Sequence, residues 1–414
     1  MRVLLIGSGG REDALATALK RDSNVTELHA APGNPGIAKS ATIHLIDTTD
    51  NNAVIDLAKK LNIDLVVIGP EAPLVNGLAD ALAQANIACF GPSKAAAQLE
   101  GSKDFAKKVM LDANVPTAQS FTCKTKEEIE KALDTFGPPF VVKHDGLAAG
   151  KGVVVTEDRS EALAHALLSP RVVIEEFLDG PEISLFGISD GTYVLPMQPA
   201  QDFKRAYDGD KGLNTGGMGA YSPLPWAPED IEEEVLKKVL QPTVDAMAKR
   251  GTPFVGLLYS GLAMTSKGMR VIEFNARFGD PETEVLIPRL KTPLGQLLYA
   301  AATKKLNQYK SLDWSDECAV TVVLASEGYP SDPKINLPIT GLNPIADTFI
   351  FHAGTKLVDG VLTSSGGRVL TVTGTGTTLA EARNNAYQVI SGITLAGSHY
   401  RSDIALSASQ LGKS

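Results

Sequence analysis

The chain has 414 residues, of which 43% are hydrophobic and 21% charged, which is typical of a globular protein with two to four domains. Its formal charge of −9 argues against nucleic acid as a partner, because binding to phosphates needs clustered positive charge. Because the sequence has no signal-peptide pattern and no apolar run of membrane-spanning length, we expect a cytoplasmic protein without membrane binding. The three cysteines lie far apart, which indicates free thiols.

The first hundred residues alternate short apolar strands with helical patterns, which predicts a parallel α/β sheet. A glycine-rich turn at residues 7–12 follows the first strand and opens a helix. It is not a complete dinucleotide-binding fingerprint, because Glu12 replaces the third glycine. The turn either binds a small phosphate on its backbone amides or is only a tight strand-to-helix connection.

A small α+β module is predicted next, with strands at 140–143, 152–156, 172–178 and 183–187 around a helix at 160–168. Lys143 and Lys151 flank a glycine-rich loop between the first two of these strands. The loop is not a Walker A motif, because its glycine spacing is one residue short and Gly152 replaces the Ser or Thr. It is either a lid over nucleotide phosphates or a plain flexible hairpin.

A long polar segment at 202–219 shows no helix or strand pattern, and such loops inside a domain usually bind a ligand. A disordered linker is the alternative. A long helix is predicted at 229–250, with a kink at Pro242. A third unit is predicted from about residue 326.

Residues 271–282 carry the strongest chemical signal in the chain. In a strand, Glu273, Asn275 and Arg277 project from one face. Carboxylate and amide oxygens suit Mg²⁺, and a guanidinium binds phosphate oxygens. Asp280 and Pro281 then predict the N-cap and first residue of a helix. The alternative is a half-exposed strand whose charges are only solvated.

Taken in order, these motifs resemble the ATP-grasp ligases, and more specifically the phosphoribosylamine–glycine ligase family. The resemblance extends almost end to end. Its segments are residues 7–12, 32–36, 69–71, 91–94, 101–103, 145–152, 214–221, 273–282, 326–330 and 366–368.

This resemblance implies a multidomain α/β fold with three parts. They are an N-terminal parallel-sheet, Rossmann-like domain at 1–102, an ATP-grasp domain at 107–303 with a small α+β lid at about 120–190, and a C-terminal α+β domain at 326–414. The implied reaction joins 5-phosphoribosylamine and glycine at the expense of ATP, through glycyl phosphate, in de novo purine biosynthesis. A monomer that uses Mg²⁺ or Mn²⁺ is expected, with small molecules as its only partners.

The resemblance also assigns site residues. Glu273 and Asn275 would bind the metal ion, and Arg277, Asp202 and Lys204 would be catalytic. ATP contacts are assigned to Lys103, Lys143, Gly146, Gly150, Lys151, Glu175, Glu176, Phe177, Leu178 and Glu182, of which 175–178 would line adenine and Glu182 would bind ribose. Glycine and phosphoribosylamine contacts are assigned to Gly9, Gly10, Asn34, Glu71, Asn214, Thr215, Gly216, Gly217, Asp280 and Glu282.

The chain departs from the family pattern at Asp13, His144, Phe203, Leu213 and Glu284, where the family usually has His, Ala, His, Pro and Gln. Asp13 would place a negative charge near a bound phosphate, so affinity for phosphoribosylamine is left open. Two alternatives also stay open: an ATP-binding protein without ligase activity, and a ligase for another acid and amine.

Overall fold

The computed structural model describes residues 1–147 and 152–411. The first part of the chain forms a five-stranded sheet in the order β3-β2-β1-β4-β5, and all of its strand pairs are parallel. The predicted parallel sheet is therefore confirmed. Its elements are β1 (Arg2–Gly7), α1 (Gly10–Arg21), β2 (Glu27–Pro32), β3 (Thr42–Ile43), α2 (Asn51–Lys60), β4 (Leu65–Ile68), α3 (Glu71–Val75), α4 (Leu78–Gln84) and β5 (Ala88–Phe90).

A second, antiparallel sheet, the small sheet, has the order β6-β9-β7-β8. It has its own small apolar core beneath two helices. The Ser102 side chain caps the helix that leads into it, by accepting from Phe105 N. The elements here are α5 (Gln98–Gly101), α6 (Lys103–Asp112), β6 (Ser120–Cys123), α7 (Lys126–Phe136), β7 (Phe140–His144), β8 (Val153–Thr156), α8 (Arg159–Ala166) and β9 (Val172–Glu175).

The middle of the chain forms a larger sheet and a helical layer. Its elements are β10 (Glu182–Asp190), β11 (Val194–Pro196), β12 (Gln201–Asp202), β13 (Arg205–Tyr207), β14 (Lys211–Asn214), β15 (Gly219–Ser222), α9 (Ile231–Val235), α10 (Gln241–Lys249), β16 (Val255–Thr265), β17 (Gly268–Asn275), α11 (Thr283–Arg289) and α12 (Leu294–Ala302). The larger sheet has the order β11-β10-β16-β17.

Three sequence predictions need correction here. The strand predicted at 183–187 belongs to the larger sheet, because β10 pairs with β16 along its whole length. The strand predicted at 172–178 ends at Glu175. The segment at 202–219 contains a hairpin, in which β13 pairs with β14 across a turn at Gly209 with φ +68°, a backbone conformation that glycine adopts at little cost.

The long helix predicted at 229–250 is irregular in its middle, whereas a change of axis direction at Pro242 stays a prediction. A π-helical segment, Leu236–Leu240, lies between α9 and α10 and ends just before Pro242. Because proline has no N–H to donate, the regular hydrogen-bond pattern cannot continue through this point.

The last part of the chain completes a five-stranded sheet in the order β12-β15-β18-β22-β19, so two of its strands come from the middle of the chain. The first strand of this part begins before the predicted boundary at 326. Its elements are β18 (Cys318–Ala325), β19 (Thr348–His352), β20 (Thr355–Val358), β21 (Val361–Ser364), β22 (Arg368–Gly376) and α13 (Leu379–Ile390). Across residues 1–147 and 152–411, no helix combines the length and apolarity needed to cross a bilayer.

Candidate active site

A cavity of 1320 Å³ opens where β17, the small sheet, the β13–β14 hairpin and the C-terminal part of the chain meet. Most of the predicted site residues line it, although they come from distant parts of the sequence. The predicted residues on its wall are Glu71, Lys103, Lys143, Gly146, Glu175, Glu176, Phe177, Leu178, Glu182, Asp202, Lys204, Asn214, Thr215, Gly216, Glu273, Asn275, Arg277, Asp280 and Glu282. The predicted residues Gly150 and Lys151 lie outside the described part of the chain.

The predicted row of side chains lies along the cavity, although β17 ends at Asn275 and Arg277 lies two residues beyond it. Glu273, Asn275 and Arg277 are half-buried and line the cavity, whereas Phe274 and Ala276 are buried behind them. Ile272 does not follow the predicted alternation, because the register between β16 and β17 shifts beside it and leaves it half-buried.

The side-chain oxygens of Glu273 and Asn275 are free to bind a metal ion. In residues 1–147 and 152–411 neither the Glu273 nor the Asn275 side chain makes a hydrogen bond. Throughout residues 1–147 and 152–411, no three His, Cys, Asp or Glu side chains lie close enough together to hold a metal ion without other ligands. Mg²⁺ commonly binds one or two protein oxygens and completes its shell with phosphate oxygens and water, so the donor set fits a nucleotide-bound divalent ion.

A buried carboxylate holds two lysines at the cavity wall. Glu175 Oε2 lies 2.8 Å from Lys143 Nζ, and Oε1 lies 3.0 Å from Lys107 Nζ. Burial raises the pKa of Glu175, but the two ammonium groups outweigh it and lower the pKa below its ordinary value. Both carboxylate oxygens are thus occupied by the lysines, and the position of Glu175 beside adenine stays a prediction.

Lys107 is a cavity residue that the sequence interpretation missed. A signal was available, because Lys107 follows Lys103 by four residues in a helix, and such residues share a face. Lys103 Nζ donates to Gly146 O over 3.2 Å, and the neighbouring Ser102 Oγ lies 3.1 Å from Asp145 Oδ1. The start of α6 therefore anchors the near end of the glycine-rich loop.

An extended segment follows β9 along the cavity. Glu176 N donates to Gln119 O over 3.0 Å. Within the described chain, the backbone groups of Phe177 and Leu178 make no hydrogen bond, and the Phe177 side chain is 48% exposed. This segment presents free N–H and C=O groups beside an apolar surface, an arrangement that suits a purine base.

A cluster of charged and hydroxyl groups forms the next part of the wall. Lys204 Nζ donates to Glu182, and Ser184 Oγ donates to Glu282 Oε1 over 2.8 Å. Tyr259 Oη lies 2.9 Å from Ser184 Oγ. Ser184 and Tyr259 had no signal in the sequence, because they alternate with apolar residues on buried strands.

Asp202 is the group of this cluster whose pKa lies near neutral. Burial raises its pKa to about 7; Lys204 opposes the increase, whereas Glu282 and Glu182 add to it. Burial lowers the pKa of Lys204, but Asp202 and Glu182 outweigh this effect and raise it well above its ordinary value. A permanently charged lysine therefore lies beside a carboxyl group that changes protonation near neutral pH.

Arg277 lies between two acidic side chains of the cavity. Its Nε is 3.5 Å from Glu71 Oε2 and 3.4 Å from Glu100 Oε1, and Nη1 donates to Phe278 O over 3.2 Å. In the described chain, Nε is buried and makes no aligned hydrogen bond. The guanidinium is thus held in place while N–H donors remain for an anion.

Arg368 fixes the opposite side of the cavity. Its Nη1 donates to Gly216 O over 2.5 Å and to Asp280 O over 2.8 Å, and lies 3.0 Å from Asp280 Oδ1. The predicted N-cap at Asp280 is therefore wrong: the helix begins at Thr283, because the Asp280 carboxylate is bound by Arg368 instead of helix amides. The motif at 366–368 was noticed in the sequence, but no function was assigned to it.

Four predicted substrate residues do not line the cavity. Gly9 N donates to Glu12 Oε2 over 2.6 Å, and Gly10 starts α1 against the Glu284 side chain. The Asn34 side chain is used by the protein itself, with Nδ2 donating to Ser8 O and Oδ1 accepting from Gly36 N. Gly217, with φ +110°, packs against Pro281.

The departures from the family pattern have distinct positions. Asp13 does not line the cavity and accepts from His352 N over 2.7 Å, so its carboxyl group is used by the protein itself. The His144 ring stacks on His165 with centroids 4.1 Å apart. Arg401 lies over the Phe203 ring, and Leu213 is exposed.

Family models match nearly the whole chain. The model for the phosphoribosylglycinamide synthetase N domain matches residues 1–100, the ATP-grasp (A) domain residues 101–283, and the C domain residues 319–407. Phosphoribosylamine–glycine ligase of Streptomyces coelicolor is 59% identical over 413 residues, which is 99% of each chain. The enzyme of the same name from Mycobacterium tuberculosis H37Rv is 53% identical over 420 residues, again 99% of each chain.

Solved structures agree with these matches. Phosphoribosylamine–glycine ligase from Thermotoga maritima superimposes with a TM-score of 0.85 at 33% identity, covering 98% of this chain and 100% of that one. The biotin carboxylase domain of 2-oxoglutarate carboxylase from Hydrogenobacter thermophilus, in complex with MgADP, ADP and bicarbonate, gives a TM-score of 0.74 at 15% identity. It covers 96% of this chain and 91% of that one, and shares the fold.

Proposed function

Because the chain belongs to the phosphoribosylglycinamide synthetase family, we propose that its cavity joins 5-phosphoribosylamine to glycine with ATP, giving glycinamide ribonucleotide, ADP and phosphate. The observation that carries this proposal is the row of Glu273, Asn275 and Arg277 on the cavity wall, with Lys143 on the neighbouring sheet. This row combines hard oxygen ligands with cations at one place, as transfer of a phosphoryl group requires.

ATP would lie between the small sheet and β17. Its base would pair with the free backbone groups at Phe177 and Leu178, and its phosphates would reach Lys103 and Lys143. Glu175 is proposed to orient Lys143 and Lys107 rather than to contact adenine. Gly150 and Lys151 stay predicted phosphate contacts.

Glu273 and Asn275 would hold Mg²⁺ or Mn²⁺ through their free oxygens. When bound, the ion would neutralise charge on the phosphates. Arg277 would donate to the transferring phosphoryl group, since Glu71 and Glu100 hold its guanidinium in place. Transfer to the glycine carboxylate gives glycyl phosphate, whose phosphate is a much better leaving group than the original oxygen.

Attack by the amine of phosphoribosylamine on glycyl phosphate forms the C–N bond and releases phosphate and one proton. Asp202 is proposed to take this proton, because its pKa of about 7 lets it act as a base near neutral pH. Lys204 would stabilise the negative charge that develops beside it. The wall formed by Asn214, Thr215, Gly216 and Asp280, together with Glu282, would bind the two small substrates.

An assay of ADP release tests the proposal. We expect release to require glycine and phosphoribosylamine together. Nucleotide binding without turnover would support the alternative of a protein that has lost ligase activity. A panel of other carboxylic acids and amines tests the remaining alternative, because turnover with another pair and none with glycine and phosphoribosylamine would contradict the proposal.

A monomer that acts in the cytoplasm without nucleic acid or membrane partners is also proposed, supported by the charge of −9 and by the small-molecule chemistry of the site. Light scattering at assay concentrations tests the oligomeric state. The division into units at 1–102, 107–303 and 326–414 stays a proposal. It is supported by the separate apolar core of the small sheet and by the separate family models.

A further inference from the structure

Glu284 is enclosed where three parts of the chain meet: α1, α11 and β22. Its side chain is fully buried, and its Oε1 would lie 2.6 Å from a Cβ placed on Gly10. Thr371 Oγ1 would lie 3.5 Å from the same point. In the described chain, both Glu284 oxygens and the Thr371 hydroxyl have no hydrogen-bond partner.

A charged carboxylate is unfavourable in such a place, because burial removes its hydration and no donor replaces the lost water. Burial and the nearby Asp280 raise the pKa of Glu284 well above its ordinary value, against the opposing effects of Arg368 and Arg11. Arg11 on α1, Asp280 before α11 and Arg368 on β22 are the charged groups that act on this carboxyl. This enclosed site without donors therefore favours the protonated carboxyl, whose shape and charge match those of glutamine.

The charge of Glu284 would affect the hydrogen bonds made by Arg368. Its guanidinium binds Gly216 O, Asp280 O and Asp280 Oδ1, and in this way joins two segments of the substrate wall. A negative charge on Glu284 would give Arg368 a competing partner away from the cavity. The bonds of Arg368 to Gly216 and Asp280 would then weaken.

We propose that Glu284 is a positioning residue, whose uncharged carboxyl fills the joint between α1 and β22 and leaves Arg368 to hold Asp280 and Gly216 in place. The inference rests on the proposed function of the cavity. It also accounts for the departure at this position, because a neutral glutamic acid replaces the family's glutamine without changing the joint.

The test compares the wild type with Glu284→Gln across about pH 7 to pH 10, using kcat/KM for phosphoribosylamine. At neutral pH we expect the two to agree within about twofold. Once the pH is high enough to ionise Glu284, the wild type should lose activity relative to the variant, by about tenfold per pH unit for ionisation of one group. Ionisation of the substrates affects both proteins and cancels in the ratio.

Asp13→Asn is the matched control. Asp13 is a buried acid like Glu284, but it lies on α1 and does not contact Arg368. Its alkaline profile should follow the wild type. Glu284→Met serves if the Gln variant does not fold, and it should show the same flat profile. A constant ratio of wild type to either variant across the pH range would overturn the inference, whereas a wild type inactive at all pH values would overturn the proposed function.

Discussion

Lys143 Nζ lies 2.8 Å from Glu175 Oε2, and neither side chain is more than 5% exposed. The second carboxylate oxygen holds Lys107 at 3.0 Å, so one negative charge fixes two positive charges at the cavity wall. Because the sheet buries all three groups, the stability of the site and its affinity for phosphates depend on the same ion pairs.

Glu175→Gln should destabilise the protein by about 3–5 kcal/mol at neutral pH, since it leaves two lysines without their buried counter-charge. The folded-state pKa of Glu175 is below its ordinary value, so its contribution is present above the unfolded pKa and is lost as the pH falls through the folded pKa. Urea unfolding at neutral and acidic pH measures both effects. A variant that loses as much stability on acidification as the wild type would contradict this account.

Asn275→Ala should leave the fold intact and lower turnover by about 100-fold or more, because it removes one of two proposed oxygen ligands at the phosphates. Asn275→Asp is the matched control: it keeps an oxygen ligand and should retain more activity. The measurement is kcat as a function of Mg²⁺ concentration. A near-normal rate in the Ala variant would reject the metal-binding function of Asn275.

Asp202→Asn should reduce turnover by roughly 10²–10⁴-fold, the range associated with loss of a general base. In the wild type, kcat should fall as the pH drops below about 7, because protonated Asp202 no longer accepts the proton from the amine. The residual activity of the variant should lack this acid limb. An unchanged limb in the variant would assign the titration to another group.

The position of Asp13 outside the cavity indicates that its replacement changes stability rather than phosphoribosylamine binding. Burial raises the pKa of Asp13 to about 7, opposed by the His352 N–H and Lys39. The folded chain thus holds this proton more tightly than the unfolded chain, so stability is lost as the pH rises from about 4 to about 7, by about 4 kcal/mol at most.

Asp13→Asn should remove that pH dependence, and Asp13→His should lower the melting temperature, because its ring is larger than the space beside Gly36. Thermal unfolding at several pH values gives both results. KM for phosphoribosylamine should stay within about twofold of the wild type in each variant that folds, since Asp13 lies outside the cavity. A lower KM for phosphoribosylamine in Asp13→His would instead support the interpretation that Asp13 lies near the bound phosphate.

Local patterns in the sequence predicted the parts of the site that lie along a single element. The alternation at 273–277 identified Glu273 and Asn275 on β17 and Arg277 two residues beyond its end, because side chains two residues apart share one face of an extended chain. The contacts of Arg368 with Asp280 could not be found in this way, since they join residues 88 positions apart. Periodicity carries no information about which distant segments pack together.

The same limit explains the error at 183–187, because this strand pairs with β16, which lies about seventy residues further along the chain. The error at 202–219 has a different cause. Its polar, glycine-rich composition suggested a loop, but β13 pairs with β14 nearby in a short hairpin.

The antiparallel sheet β12-β15-β18-β22-β19 joins strands from the middle and the last part of the chain, which has a consequence for synthesis and for truncation. Until Cys318–Ala325 has been made, β15 keeps an open hydrogen-bonding edge, and the wall that carries Lys204 lacks its backing. Exposed strand edges promote aggregation. A fragment that stops before Cys318 should therefore precipitate rather than survive as a nucleotide-binding half, and the ribosome must reach at least Ala325 before the first catalytic cycle.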